Sequence, residues 1–312
     1  MATAWHSFTI LIRIEMAKIY FKNEDCIDVM KRQAATDYKV DIILTSPPYS
    51  TSRSTVKTQK AIDTYNRRYD ICLDNMNQYE YRDWTVELFK LFDGILAKDG
   101  VVLYNISYGN ENPDTLWLAI GSIIEQTNFT VGDCIVWKKS SALPNNVSKN
   151  KMTRITEFVF VLCRKDEFMT YRANKKVKTK REDTGQLYFE NMFNFIEAPN
   201  NDGACDLNKA TYSTALCEAL LEIYATDGCK VMDPFMGTGT TAIAVAKFAA
   251  ERGFDMTCIG CELSVAQVEF SKKRLDNFRK SGKTMIKQQP KPKDKKKKEE
   301  QKNKNNGDKA TE

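Results

Sequence analysis

The sequence predicts an α/β fold: a mostly parallel sheet covered on both faces by helices, with an antiparallel pair of strands at one edge. Two observations carry this. Short apolar runs alternate with amphipathic stretches from Lys18 to about Lys280, the pattern of strand and covering helix in turn. The 312 residues are 42% apolar and 11% aromatic, enough to fill the core such a sheet needs.

Taken in order, Ile19 to Phe21 predicts a short strand and Cys26 to Arg32 a helix. Val40 to Leu44 is a continuous apolar run broken only by Asp41. It is a buried strand that must end at Thr45-Ser46-Pro47-Pro48-Tyr49, because proline lacks the N–H a ladder uses. Trp84, Leu88, Leu91, Phe92 and Ile95 recur at helical spacing and read as core. Gly100 breaks that pattern, and Val101 to Tyr104 restores a strand. Leu116 to Glu125 is the next helix. Val131 to Trp137 and Phe158 to Cys163 are two strands expected to pair as a hairpin at the sheet edge. From 138 to 154 and from 172 to 208 regular patterns give way to polar and basic loops. Order resumes with a helix from Ala215 to Tyr224, a strand from Lys230 to Met232, a helix from Thr240 to Arg252 stopped by Gly253, and a strand from Met256 to Cys261. Ser264 and Gln267 form a capping box for a last helix with an inner stripe of Val265, Val268, Leu275 and Phe278. The organisation expected is an extension over 1–17, one domain over 18–281, and a disordered Lys-rich tail over 282–312.

Composition removes several classes. No apolar stretch approaches the roughly 20 residues a membrane helix needs. Nine cysteines, an odd number without framework spacing, point to a reducing, intracellular setting, cytoplasmic or, in a eukaryotic or viral source, nuclear. His6 is the only histidine, which disfavours zinc hydrolases and Ser-His or Cys-His catalysis. Cys258 and Cys261 form a lone CxxC inside a strand, a structural pair rather than a metal site. The net charge of +6 resides in the tail, while residues 138–181 carry 13 Lys/Arg against three acidic residues. Trp137, Phe168 and Tyr171 interleave that basic stretch, so it is the expected phosphate-backbone contact. Candidate contacts are Lys138, Lys139, Arg154, Lys175 and Lys176, joined by Arg67 and Arg68 in a possible lid over 64–70.

Two constellations carry chemistry. In Asp233-Pro234-Phe235-Met236-Gly237-Thr238-Gly239-Thr240-Thr241, glycines between a strand and a helix let the backbone turn tightly against a ligand. Glu262 ends the next strand, where a carboxylate can accept from both ribose hydroxyls of an adenosine-containing cofactor. Ala242 stands where the dinucleotide fingerprint needs its last glycine, and no Walker lysine follows. In Thr45 to Tyr49, two prolines stiffen the backbone and leave outward carbonyls. With Ser46 these carbonyls can hold an amino group, and Tyr49 offers a face to a base.

Together these motifs resemble the amino-directed DNA methyltransferases, whose Ser/Asp/Asn-Pro-Pro-aromatic tetrapeptide is matched by Ser46 to Tyr49. Their cofactor loop is matched by Asp233 to Thr240. The catalytic motif precedes the cofactor motif, which is similar to the permuted β group. The resemblance implies a Rossmann-like methyltransferase fold, S-adenosylmethionine as cofactor and double-stranded DNA as substrate. It further implies a cognate restriction endonuclease as a possible partner, and a monomer or homodimer. By the same resemblance Ser46, Pro47, Pro48 and Tyr49 are catalytic. Asp25 meets the adenine, Glu262 the ribose, and Thr45, Thr211, Asp233, Pro234, Phe235, Gly237, Gly239 and Thr240 complete the cofactor site. A leading serine is the mark of cytosine N4 enzymes, with adenine N6 the alternative target. Methylation at cytosine C5 is excluded because no Pro-Cys dipeptide supplies its nucleophile. The intact motifs argue against the other alternative, a catalytically inactive nucleic-acid-binding subunit.

Overall fold

The computed structural model describes residues 17–49, 76–108, 113–140, 149–203, 207–208 and 211–285. Strands β1 (Ala17–Lys22), β2 (Val40–Thr45), β3 (Leu96–Ile106), β4 (Phe129–Lys139), β5 (Thr156–Arg164), β8 (Phe195–Ala198), β9 (Lys230–Asp233) and β10 (Met256–Cys261) form one eight-stranded sheet. Its order is β1-β10-β9-β2-β3-β5-β4-β8. The first five strands in that order are parallel, and β5 runs antiparallel to both β3 and β4. Helices α1 (Cys26–Ala34), α2 (Gln78–Ile95) and α3 (Thr115–Gln126) cover one face. Helices α4 (Thr214–Tyr224), α5 (Thr240–Arg252) and α6 (Val265–Ser281) cover the other. Strand side chains alternate between the two cores. Val101 and Leu103 of β3 join the α4–α6 side, and Val102 and Tyr104 join the α1–α3 side.

The predicted antiparallel pair is β4 with β5, but it lies one strand inside the edge, because β8 joins β4 in parallel. Nor is 172–208 only loop. It holds β8 and a separate hairpin of β6 (Val177–Lys180) and β7 (Leu187–Phe189). These strands are three or four residues long and largely exposed, so they lack the apolar alternation that betrays a half-buried strand. Ala17 already pairs with Met256 in β1, one residue before the expected domain start. Ser264 caps α6, its Oγ accepting from Gln267 N at 3.2 Å. Val265 is corrected to an exposed position at 63%. The buried stripe runs instead through Gln267, Val268, Ser271, Arg274, Leu275 and Phe278, and Val265 lies well round the helix from it. Cys258 faces one core and Cys261 the other, so the two thiols stand on opposite sides of the sheet. Among the described residues no helix is long and apolar enough to cross a membrane.

One topological fact positions the site. β2 and β9 are neighbours, yet the chain next packs α2 on one face after β2 and α5 on the opposite face after β9. Where successive connections part to opposite faces, a crevice opens at the carboxyl ends of the strands.

Candidate active site

That crevice is a cavity of about 1210 Å³ with its mouth included. The two sequence motifs meet in it. Ser46 and Pro48 line one part, and Pro234, Phe235, Gly237 and Thr240 line another. Asp25, Thr211 and Glu262 complete the polar wall, with Ile27 and Leu263 as apolar neighbours.

Thr45 and Asp233 sit behind this wall, fully buried, and are corrected from ligand contacts to its bracing. Asp233 Oδ1 accepts from Thr45 Oγ1 at 2.8 Å and from Phe235 N at 3.0 Å. Its Oδ2 accepts from Thr241 Oγ1 at 2.5 Å and from the Tyr212 hydroxyl at 3.2 Å. One carboxylate thus joins β2, β9, α5 and the segment before α4. Burial pushes its pKa up, while these four donors pull it back.

The glycine turn is shaped by contacts no other residue allows. Gly237 and Gly239 have φ of 54° and 83°, in the left-handed region. A Cβ on Gly239 would stand 2.9 Å from the Ser271 side chain. Gly239 is the N-cap of α5 and provides no side-chain cap to the first-turn N–H groups. Behind the turn, Arg274 is 1% exposed. Its Nη1 donates to Thr238 O and Thr240 Oγ1, both at 3.1 Å, and it pairs with Asp202. Glu262 is aimed by the backbone: Oε2 accepts from Gly237 N at 3.0 Å and Oε1 from Ser264 N at 2.8 Å. Asp25 caps α1 by accepting from Ile27 N at 2.8 Å.

Trp84 is corrected from core to cavity wall. It is partly exposed and its ring centroid lies 5.5 Å from that of Phe235. Burial raises the Cys261 thiol to about 12, so it lines the cavity as a protonated, apolar group. Two carboxylates at one side, flat aromatic surfaces and an uncapped helix start fit the hydroxyls, ring and polar end of an adenosine-type ligand.

The Ser46 side is a hydrogen-bonded cluster. Ser46 Oγ lies 3.0 Å from the Tyr49 hydroxyl, which donates to Asn105 Oδ1 at 3.0 Å or Glu157 Oε2 at 3.3 Å. Asn105 Nδ2 donates to Phe158 O at 3.1 Å, and Lys139 Nζ donates to Glu157 Oε1 at 2.5 Å. Pro47 and Tyr49 stand off the cavity wall, Tyr49 packing against the α1–α3 core.

The basic stretch differs from expectation. Trp137 is 1% exposed, its Nε1 donating to Ala198 O at 3.2 Å, so it presents no face to a nucleic acid. Lys138 pairs with Glu197 and Lys139 with Glu157. Arg164 pairs with Asp93 and Glu167, and Arg172 with Asp41. Part of the local excess is therefore matched inside the molecule. Arg154 stacks over Tyr108 at 4.9 Å, and Lys175 and Lys176 border a second, shallower depression. Arg67, Arg68, the 64–70 segment and the tail from 286 lie outside the described residues. Among the described residues no group of three or more His, Cys, Asp or Glu is placed to hold a metal.

Sequence reasoning missed Tyr212, Asn105, Glu157 and Arg274 as site residues. Asn105 and Glu157 did carry a signal, as polar residues near the ends of otherwise apolar strands.

Residues 40–273 match the family of N6/N4 DNA methylases. The chain belongs to that family. A type II methyltransferase, M.MthZI of Methanothermobacter thermautotrophicus, is 23% identical over 254 residues, covering 73% of this chain and 69% of its own. Among solved structures, the PvuII DNA methyltransferase (cytosine-N4-specific) aligns with a TM-score of 0.57 at 16% identity, over 85% of this chain and 91% of that one. TTHA0409 of Thermus thermophilus, complexed with S-adenosyl-L-methionine, aligns with a TM-score of 0.51 at 17% identity, over 85% and 95%. At these identities the two structures show a shared fold.

Proposed function

We propose that this DNA methylase transfers the methyl group of S-adenosylmethionine to the exocyclic N4 of cytosine in duplex DNA. The observation that carries the reading is the meeting of Ser46 with Gly237 and Glu262 around one cavity, although Thr45 and Asp233, which lock the two motifs together, are 188 residues apart in sequence. The cofactor assignment is supported by the carboxylates and aromatic walls described above and by the S-adenosylmethionine complex of the Thermus relative in fold. The cytosine assignment is supported by serine at the head of the Pro-Pro-Tyr motif and by the cytosine-N4-specific designation of the PvuII enzyme.

When bound, S-adenosylmethionine supplies an electrophilic methyl carbon. The chain does the rest by positioning. Glu262 and Asp25 accept from the ribose and adenine, and Gly237, on the cavity wall, lets the backbone come close. Arg154, Lys175 and Lys176 meet the DNA backbone, which fixes register without reading sequence. The target cytosine leaves the stack at a cost of a few kcal/mol. Ser46 Oγ, on the cavity wall, then accepts from its amino group, drawing the nitrogen lone pair out of conjugation with the ring. No covalent bond to the enzyme is needed, which suits a chain with one histidine.

The test is incubation with labelled S-adenosylmethionine and duplex DNA of mixed sequence, followed by digestion and mass identification of the labelled nucleoside. N4-methylcytosine is expected. N6-methyladenine would overturn the role given to Ser46 in choosing the base, and a label on neither would overturn the reading.

A further inference from the structure

We infer that Glu157 is the proton acceptor of the reaction, reached from Ser46 through the Tyr49 hydroxyl. The inference rests on the amino-methyltransferase reading above and adds the path of the released proton. Hydrogen-bond direction carries it. Asn105 Nδ2 donates to the Phe158 carbonyl, so the atom Asn105 turns to Tyr49 is Oδ1, which only accepts. Glu157 Oε2 on the same hydroxyl is a carboxylate oxygen and also only accepts. Tyr49 has one hydroxyl hydrogen, and it is committed to these two. The 3.0 Å contact between Ser46 Oγ and Tyr49 is therefore made by the Ser46 hydrogen. Ser46 is thus set as an acceptor toward the cavity, the polarity an incoming amino group requires.

The same chain conducts. As the nitrogen–methyl bond forms and the methyl–sulfur bond breaks, the electron pair of that bond leaves with sulfur and the amine nitrogen becomes cationic. It loses one proton to Ser46 Oγ, the Ser46 proton passes to Tyr49 Oη, and the Tyr49 proton passes to Glu157. Both hydroxyls are restored and the net transfer is one proton from amine to carboxylate. Lys139 Nζ is paired with Oε1, and the 15% side-chain exposure of Glu157 gives the proton an exit to water.

Glu157→Gln discriminates, because glutamine can still accept from Tyr49 but cannot take a proton. Single-turnover methyl transfer to DNA is expected to fall by about 100-fold or more. Equilibrium affinities for S-adenosylmethionine and for DNA should stay within about twofold of wild type. Tyr49→Phe, which cuts the chain in the middle, should show the same split. Undiminished transfer by Glu157→Gln, or an equal loss of substrate affinity and rate, would overturn the inference while leaving the methyltransferase reading in place. A wild-type enzyme that methylates no DNA amine would overturn that reading and this inference with it.

Discussion

Around Gly237 and Glu262 the backbone is fixed by hydrogen bonds such as Gly237 N to Glu262 Oε2, by the buried Arg274 behind the turn, and by the contact of Gly239 with Ser271 that leaves no space for a Cβ. At the two ends of the basic stretch, the Lys138–Glu197 and Arg181–Asp183 ion pairs join side chains that remain 38% to 58% exposed. The first region is rigid because its polar groups are desolvated and matched. The second can rearrange, because exposed pairs are each worth about 0–1 kcal/mol. A methyl donor and acceptor must be aligned closely, whereas DNA must slide in, be held by its phosphates and leave. The contrast teaches where substitutions should hurt.

The largest effect is expected at Gly239. Alanine there would impose left-handed strain and push into Ser271 Cβ, which lies 2.9 Å from the added atom. A loss of about 3 kcal/mol in denaturant unfolding is expected. Wild-type stability would break the claim that the turn is rigid. Next is Asp233→Asn, which turns an acceptor oxygen into a donor amid four donors. Unfolding should cost about 2 kcal/mol less, with S-adenosylmethionine affinity reduced as β2 and β9 lose their tie. The smallest effect is expected on the basic side. Lys138→Ala should change DNA affinity by about twofold, because its charge is already partnered by Glu197. The Lys175→Ala and Lys176→Ala double variant should lower the slope of log affinity against log salt by about one to two. A steep loss from Lys138 alone would reverse the assignment of which lysines meet phosphate.

The same contrast governs what the sequence reveals. The bounds of β10 and α5 are those predicted, since Gly253 and Gly239 act on the chain locally. The meeting of the two motifs follows from strand order, because open sheets place ligands at strand ends. The roles of Asp233 and Glu157 are not local. Glu157 meets Tyr49 across 108 residues, and Asp233 meets Thr45 across 188. Charge counting likewise could not show that Arg164 and Arg172 face Asp93 and Asp41 from distant strands and helices. β8 was hidden for another reason: it gains its place from backbone pairing with β4 rather than from an apolar face of its own.

The central claim is that one cleft has two separable halves, one that binds the cofactor and one that holds the amine. It is tested most directly by measuring S-adenosylmethionine affinity and single-turnover methyl transfer in Ser46→Ala and Glu262→Ala side by side. Ser46→Ala is expected to keep its affinity within about twofold and lose at least roughly 100-fold in transfer rate, whereas Glu262→Ala should bind about tenfold more weakly or worse. Ser46→Ala transferring at the wild-type rate, or losing its cofactor affinity in step with Glu262→Ala, would contradict it.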